Sequence, residues 1–140
     1  MSISATASFK PNPNLGRLIE SIVRPAVTVA VQSGCEMIQT TAKGFCPVDT
    51  GALRDSIGIT VEQLDNSVRG VISPTMFYAP FVEFGTGAAG AGSEGAGEGP
   101  YTLSHPGMPA QPYMRPALDE SRDPILEQFR STLTEALVNA

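Results

Sequence analysis

The sequence from Tyr78 to Thr86 is YAPFVEFGT, and the rest of the chain is organised around it. Aromatic and β-branched residues bounded by proline and glycine are typical of a strand. Pro80 cannot donate a hydrogen bond to a neighbouring strand, so it places this strand at or near the edge of a sheet. The stretch therefore predicts an edge strand that another chain could complete.

The composition indicates one globular domain with a weakly charged surface. The 140 residues are 41% apolar and 16% charged, and the formal net charge is −5. The nine lysines and arginines are spread singly along the chain, whereas tight binding to a phosphate backbone needs them clustered. Cys35 and Cys46 lack CxxC spacing, and on one helix they would lie too far apart for a disulfide, which favours two reduced thiols.

Residues 1–13 are rich in serine, alanine, asparagine and proline and lack the apolar core of a signal peptide. We expect a flexible N-terminal tail there, followed by a single α+β domain over residues 14–140. No apolar run approaches the roughly 20 residues that a membrane span needs. The sequence thus predicts synthesis in a cytoplasm and no membrane partner.

Apolar residues recur at helical spacing from Leu15 to Phe45, which predicts a long N-terminal helix. Pro25 lies inside this pattern and predicts a kink or break near Arg24. The main helix is expected from about Ala26 to Lys43. A stiff corner follows, with Pro47 ending the helix and Asp49 and Thr50 suited to cap a single helical turn.

After the corner, apolar residues recur at every second position. Ile57, Ile59 and Val61 alternate with polar residues or glycine, which predicts a half-buried strand. A turn at Asp65-Asn66 leads to a second strand over residues 67–73, and residues 77–84 supply a third. We expect a small antiparallel sheet of three to four strands, covered by the long helix.

Residues 85–99 contain seven glycines, so residues 85–111 are predicted to form a mobile loop that returns as extended, proline-rich chain. A C-terminal helix is predicted to begin with Pro116 at its first position, with Asp119 and Glu120 in its first turn. Pro124 is a point where that helix could restart. The predicted fold class is α+β, with a small sheet against an N-terminal and a C-terminal helix.

The chain shows no convincing catalytic, cofactor or metal motif. His105 is the only histidine and is followed by a proline and a glycine, which favours a loop residue. Glu83 is the most informative carboxylate, because a buried acid needs a partner. Arg54, Arg69 and Arg115 are the candidates, and an ion pair or a contact between subunits is the favoured interpretation. The alternative is a small hydrolase that uses Glu83, Asp49 and His105.

Three separated stretches carry a family resemblance. They are CPVDTGALRDSI (46–57), YAPFVEFGT (78–86) and PAQPYMRPAL (109–118), in that order. In this the chain resembles the tail-component family of long-tailed bacteriophages, the neck or tail-completion proteins similar in role to minor tail protein Z of phage lambda. The resemblance extends from the first long helix to the last.

The resemblance implies a structural virion protein, synthesised in the bacterial host, that forms a homo-oligomeric ring at the head-proximal end of the tail and joins tail to head. Six copies are the expected number. Its implied partners are head-closure, tail-terminator and tail-tube proteins, and DNA would pass through the lumen without specific binding. The family supplies no catalytic residues. A tail terminator is the alternative within this class, and a monomeric peptide-binding module is a third.

The residues expected to form contacts or scaffold lie in the three stretches. They are Pro47, Asp49, Thr50, Gly51, Leu53, Tyr78, Phe81, Glu83, Phe84, Gly85, Thr86, Pro112, Tyr113, Arg115 and Pro116.

Overall fold

The computed structural model describes residues 13–86 and 107–140. Residues 1–12 and 87–106, which include most of the predicted tail and glycine-rich loop and also His105, lie outside the described residues. The elements, in chain order, are α1 (Pro13–Leu18), a π-helical turn (Ile19–Val23), α2 (Arg24–Phe45), α3 (Ala52–Asp55), β1 (Ile57–Gln63), β2 (Val68–Pro74), α4 (Ala79–Phe84) and α5 (Met114–Val138). The α+β class and the two long helices are thus confirmed.

The predicted interruption near Arg24 is a change in helix type. The helix widens to a π turn over Ile19–Val23, where the N–H of Arg24 donates to the carbonyl of Ile19, and α2 then begins with Pro25 in its first turn. Proline has no N–H, and its ring collides with the preceding turn of a regular helix. The π turn accommodates both defects just ahead of the proline, so helical structure continues through it.

The sheet is smaller than the sequence predicted. Within the described residues β1 and β2 form one antiparallel hairpin, with Ile57 opposite Pro74 and Gln63 opposite Val68. The predicted third strand over residues 77–84 is wrong, because this stretch forms helix α4.

Helix α4 has a local cause. Pro80 lies in the first turn, where its missing N–H would be unpaired anyway and its fixed φ suits a helix. Ala79 and Glu83, four residues apart, are the buried positions, so one helical face points inward. Gly85 ends the helix with φ 75°, which a side chain would disfavour. Burial at helical spacing overrides the strand preference of the aromatic residues.

Helix α2 is the central layer. It covers one face of the hairpin and packs on its other side against α5, which lies mainly on α2. The chain runs antiparallel through this helix pair, since Ser121 pairs with Thr41 while Gln128 pairs with Ser33.

Small residues allow these close approaches. A Cβ on Gly70 would collide with Cys35 and Val31 of α2, and a Cβ on Gly34 would lie 3.2 Å from Ile125 of α5.

Helix α5 begins at Met114, two residues before the predicted start, and continues through Pro124 to Val138 without a restart. Pro116 is therefore its third residue rather than its first. Pro124 lies on the exposed side of the helix, where the carbonyl left without an N–H partner can bond to water. The early start has a specific cause in the side chain of Glu83.

Candidate interaction site

Glu83 caps helix α5 from a distance of 30 residues along the chain. One carboxylate oxygen, Oε2, accepts hydrogen bonds from the backbone N–H groups of Tyr113 at 2.8 Å and Met114 at 3.0 Å. The other, Oε1, accepts the N–H of Arg115 at 3.0 Å. Glu83 is only 8% exposed, so these bonds form largely out of water, where leaving a donor unpaired is costly.

One carboxylate is sufficient because of Pro116. The first turn of a helix leaves its N–H groups without partners in the helix. In α5 these belong to Tyr113, Met114 and Arg115, since the next residue, Pro116, has none. A negative charge at this end also interacts favourably with the helix dipole. Glu83 thus joins α4 to the start of α5.

The partners differ in kind from the arginine side chains that the sequence suggested. Arg115 contributes its backbone N–H to Glu83. Arg54 instead donates from Nε to Oδ1 of its neighbour Asp55 at 2.9 Å, and this contact lowers the pKa of Asp55. The observed partners of Glu83 are thus backbone donors, and its predicted contact between subunits stays a prediction.

The corner that precedes β1 is built around Gly51. This residue has φ 86° and begins α3, and a Cβ there would lie 3.3 Å from the Arg54 guanidinium. The hydroxyl of Thr50 accepts a hydrogen bond from the N–H of Ala52 at 3.3 Å. Leu53 then enters the core. The corner therefore needs glycine at position 51 for backbone reasons.

The chain after α4 and the chain before α5 are paired. Thr86 and Met108 exchange two backbone hydrogen bonds of 2.9 and 3.1 Å, and the N–H of Gln111 donates to the carbonyl of Val82 at 2.8 Å. Residues 107–111 of the predicted mobile loop are thus bonded to the body of the protein.

Tyr113 lies at the centre of this arrangement and is 1% exposed. It belongs to one core cluster that joins all the elements around the junction, namely Ala42, Cys46, Leu53, Ile57, Ala79, Tyr113 and Ala117. Burial, and then the nearby Cys46, Glu83 and Tyr78, raises the pKa of Tyr113 to about 12. Burial likewise raises the pKa of the Cys46 thiol, and both cysteines are free, as predicted.

The three sequence stretches therefore meet in space, although they are far apart along the chain. Two surface cavities of about 460 Å³ each flank the junction. The first is lined by the corner, including Pro47, Asp49, Thr50, Gly51 and Leu53, together with Tyr78. The second is lined by Glu83, Phe84, Tyr113 and Arg115, together with apolar residues of β2 and α5.

The remaining predicted residues lie around the junction without lining either cavity. Phe81 and Thr86 are half-buried and Gly85 is buried, whereas Pro112 is exposed beside the α5 cap. Their predicted role in contacts between chains stays a prediction.

The arrangement does not favour hydrolytic chemistry. Both oxygens of Glu83 are engaged by backbone donors, and Asp49 lines the other cavity. Within residues 13–86 and 107–140 no three potential metal ligands come together. In the same part of the chain, no helix is both long and apolar enough to cross a lipid bilayer.

Sequence reasoning missed Arg24, which ties α2 to the hairpin turn. Its guanidinium donates to the carbonyls of Leu64 at 2.9 Å and Asp65 at 2.5 Å, and it pairs with Glu20 at 3.0 Å. The Glu20–Arg24 spacing is a helical ion-pair signal, but the bonds to the turn join residues about 40 positions apart. Only the folded chain shows them.

Fold and site together define a small α+β scaffold whose recognisable motifs meet in a packed junction. A family model described as "Bacteriophage HK97-gp10, putative tail-component" matches residues 13–85, just over half of the chain and all of the elements from α1 to α4. The chain belongs to this bacteriophage tail-component family. No curated protein and no solved structure matched the chain.

Proposed function

We propose that this tail component is a tail-completion or neck subunit, which forms a ring at the head-proximal end of the tail and joins the tail to the head. Family membership supports a structural role in the phage tail. The position in the neck and the ring rest on the resemblance of the three motif stretches and on the surface properties that follow.

The observation that carries the proposal is apolar surface on a weakly charged chain. Phe77, between β2 and α4, is 86% exposed. Other large apolar side chains are also exposed on the hairpin-facing and C-terminal helices and on the corner, namely Val29, Val48, Leu118, Leu126 and Leu137. Leu118 also borders an apolar groove with Ile72, Pro74 and Pro80. A contiguous exposed apolar patch is typical of surfaces that other proteins cover. Exposed apolar surface of this kind is expected in a subunit of an assembly.

The charge supports a lumen through which DNA passes. The formal net charge is −5, and binding to a phosphate backbone requires several clustered cations. An acidic ring therefore lets DNA slide without holding it. In this proposal the protein is synthesised in the bacterial host and is then incorporated into the virion.

The test is genetic removal followed by electron microscopy. In a phage that lacks this protein, we expect free heads and free tails of normal length, because the tube is built but cannot be joined to the head. Supplying the wild-type chain should restore joined particles and infectivity. Normal titre without the protein, or purified virions that do not contain it, would refute the proposal.

The same experiment separates the rival role of tail terminator. A terminator stops growth of the tube, so its loss should give tails of irregular, extended length. Tail length in the deletion phage thus decides between the two roles.

A further inference from the structure

The outer edges of the hairpin carry backbone groups that point away from it. In an antiparallel pair, residues that bond to each other alternate with residues that do not. Thr75 donates to Ser56 at one end and Leu64 donates to Ser67 at the other, which fixes this alternation. The groups of Thr60 therefore bond inside the hairpin, whereas those of Ile59 and Val61 point outward.

The same register shows which backbone groups of β2 point outward. Gly70 faces Val61 and Ile72 faces Ile59, so the N–H and C=O groups of both residues also point outward. Among residues 13–86 and 107–140, none of these four outward N–H groups has a hydrogen-bond partner. Each strand therefore presents an open edge.

These edges carry only part of the usual protection against pairing. Edge strands that must stay single are blunted by lysine, proline or an inward charge. Neither β1 nor β2 contains lysine, and Pro74 is the last residue of β2. A hairpin of two strands is also a marginal sheet by itself.

Each edge borders a groove. Beside β2 lies the apolar cavity of about 460 Å³, whose lining includes Ile72, Pro74 and Leu118. Beside β1 lies a groove of about 400 Å³, lined by Val61 and by Val29 and Glu36 of α2. Val29 is 61% exposed and Leu118 is 53% exposed. Both edges are therefore flanked by apolar surface.

We propose that the edge of β2 in one copy pairs antiparallel with the edge of β1 in the next copy, so that the hairpins of successive subunits form one continuous sheet. The inference deepens the proposed ring and rests on it for the identity of the partner. A β1 strand added antiparallel to β2 runs in the same direction as the first β1. Each subunit is thus related to the next by rotation without a flip, which is the contact that closes into a ring.

A second copy of this chain is favoured as the partner because its strand edges match in length and charge. Both edges are seven residues long and occur on every copy. The only charged residue of β1 is Glu62 and that of β2 is Arg69, and both lie on the face away from α2. Pairing β2 with the next β1 places an acidic strand beside a basic one, which is favourable across strands. Pairing two equal edges places like charges on neighbouring strands.

The first test is a charge at the edge with a matched control. Val61→Lys introduces an inward-pointing charge on the β1 edge, and Val29→Lys places one beside it on an exposed position. Both should weaken self-association at least about tenfold, which corresponds to 1.4 kcal/mol. Thr134→Lys, at an exposed position near the C-terminal end of α5, should leave it within about twofold. Analytical ultracentrifugation measures all three.

The second test is hydrogen exchange of the wild-type protein. The amides of Ile59, Val61, Gly70 and Ile72 should exchange rapidly at dilution and become protected on association, while that of Thr60 is protected in both states. Circular dichroism checks that each variant is folded. If Val61→Lys fails to fold, the comparison of Val29→Lys with Thr134→Lys decides.

Four outcomes overturn the pairing: equal association of edge and control variants, edge amides that stay unprotected in the assembly, a twofold dimer that protects one edge only, and a chain that stays monomeric at all concentrations. The deletion phage separates this failure from failure of the proposed function. If the protein is needed to join tails to heads but Val29→Lys restores joining as well as Thr134→Lys, the function stands and the sheet pairing is wrong.

Discussion

In the described part of the chain, backbone N–H donors are hydrogen-bonded at the junction around Glu83 but unpaired along the edges of the hairpin. At the junction, one buried carboxylate takes up the free N–H groups that begin α5. Along the hairpin, the outward N–H groups of Ile59, Val61, Gly70 and Ile72 have no partner within the described residues. The first region is closed by its own chain, and the second is complete only when something is added.

The difference separates what holds the protomer together from what it offers to others. A buried donor without a partner costs about 1–3 kcal/mol, so the junction has to be satisfied before the fold is stable. An edge donor in water loses little, and its bonding capacity stays available for another chain. Motif residues thus stabilise the scaffold, while the less distinctive hairpin carries the open surface.

Removing the cap should have the largest effect on stability. Glu83→Ala leaves three backbone donors without their acceptor, and we expect the free energy of unfolding to fall by roughly 3 kcal/mol. Glu83→Gln keeps one acceptor and should lose about half as much. Urea unfolding measures both, with the exposed Glu120→Ala on α5 expected within about 0.5 kcal/mol of wild type. A Glu83→Ala protein as stable as the control would show that the junction is not closed by this side chain.

The second-largest effect on stability should come from the face of the hairpin that α2 covers. Gly70→Ala places a methyl group against Cys35 and Val31, and we expect a loss of about 1–3 kcal/mol from overpacking. Gly58→Ala is the matched control on the other strand, where the nearest atom is 3.9 Å away. The midpoint of thermal unfolding should fall for the first variant and stay nearly constant for the second. Equal shifts would contradict the close approach of β2 to α2.

The hydrogen bonds between Arg24 of α2 and the hairpin turn should contribute less to stability. Arg24→Ala removes the bonds to Leu64 and Asp65, and we expect a loss of roughly 1 kcal/mol, since the site is partly exposed. Hydrogen exchange near the turn should accelerate, whereas exchange in α5 should not. Arg17→Ala, an exposed position on α1, serves as the control. A turn that exchanges at the same rate in both variants would rule out this role.

At neutral pH the smallest effect should come from the Tyr113 hydroxyl, which changes stability only at alkaline pH. Burial raises the pKa of Tyr113 from 10.0 to about 12, so between these values the unfolded chain releases a proton that the folded protein retains. Stability from this group is present below pH 10 and is lost as the pH rises toward 12. Tyr113→Phe should have a flatter decline over this range in urea unfolding. An unchanged decline would place Tyr113 outside the closed region.

The sequence predicted the elements that depend on local periodicity. The long helix and the hairpin follow from spacings of 3.6 and 2 residues, and Gly51 and Pro47 mark the corner between them. The strand predicted over residues 77–84 was wrong because residue preference and burial conflict there. Aromatic residues favour strands, but Ala79 and Glu83 are buried on one face of a helix, and Pro80 suits its first turn.

The motif stretches supply the residues of the junction, but the contacts between them were not predicted. The motif stretches contain Glu83, Tyr113 and Gly51, and a buried acid was expected to need a partner. That the partner is the N-terminus of α5 could not be predicted, because a helix start predicted at Pro116 leaves Tyr113 and Met114 outside the helix.

The sequence by itself determined the two long helices, the hairpin and its alternating face, since these depend on neighbours within a few positions. Only the tertiary structure decided that α2 is the central layer, that Glu83 caps α5 and that Gly70 must lack a side chain. The cap and the Gly70 contact join residues at least 30 positions apart. Such contacts depend on the packing of the whole chain, and no local pattern encodes them.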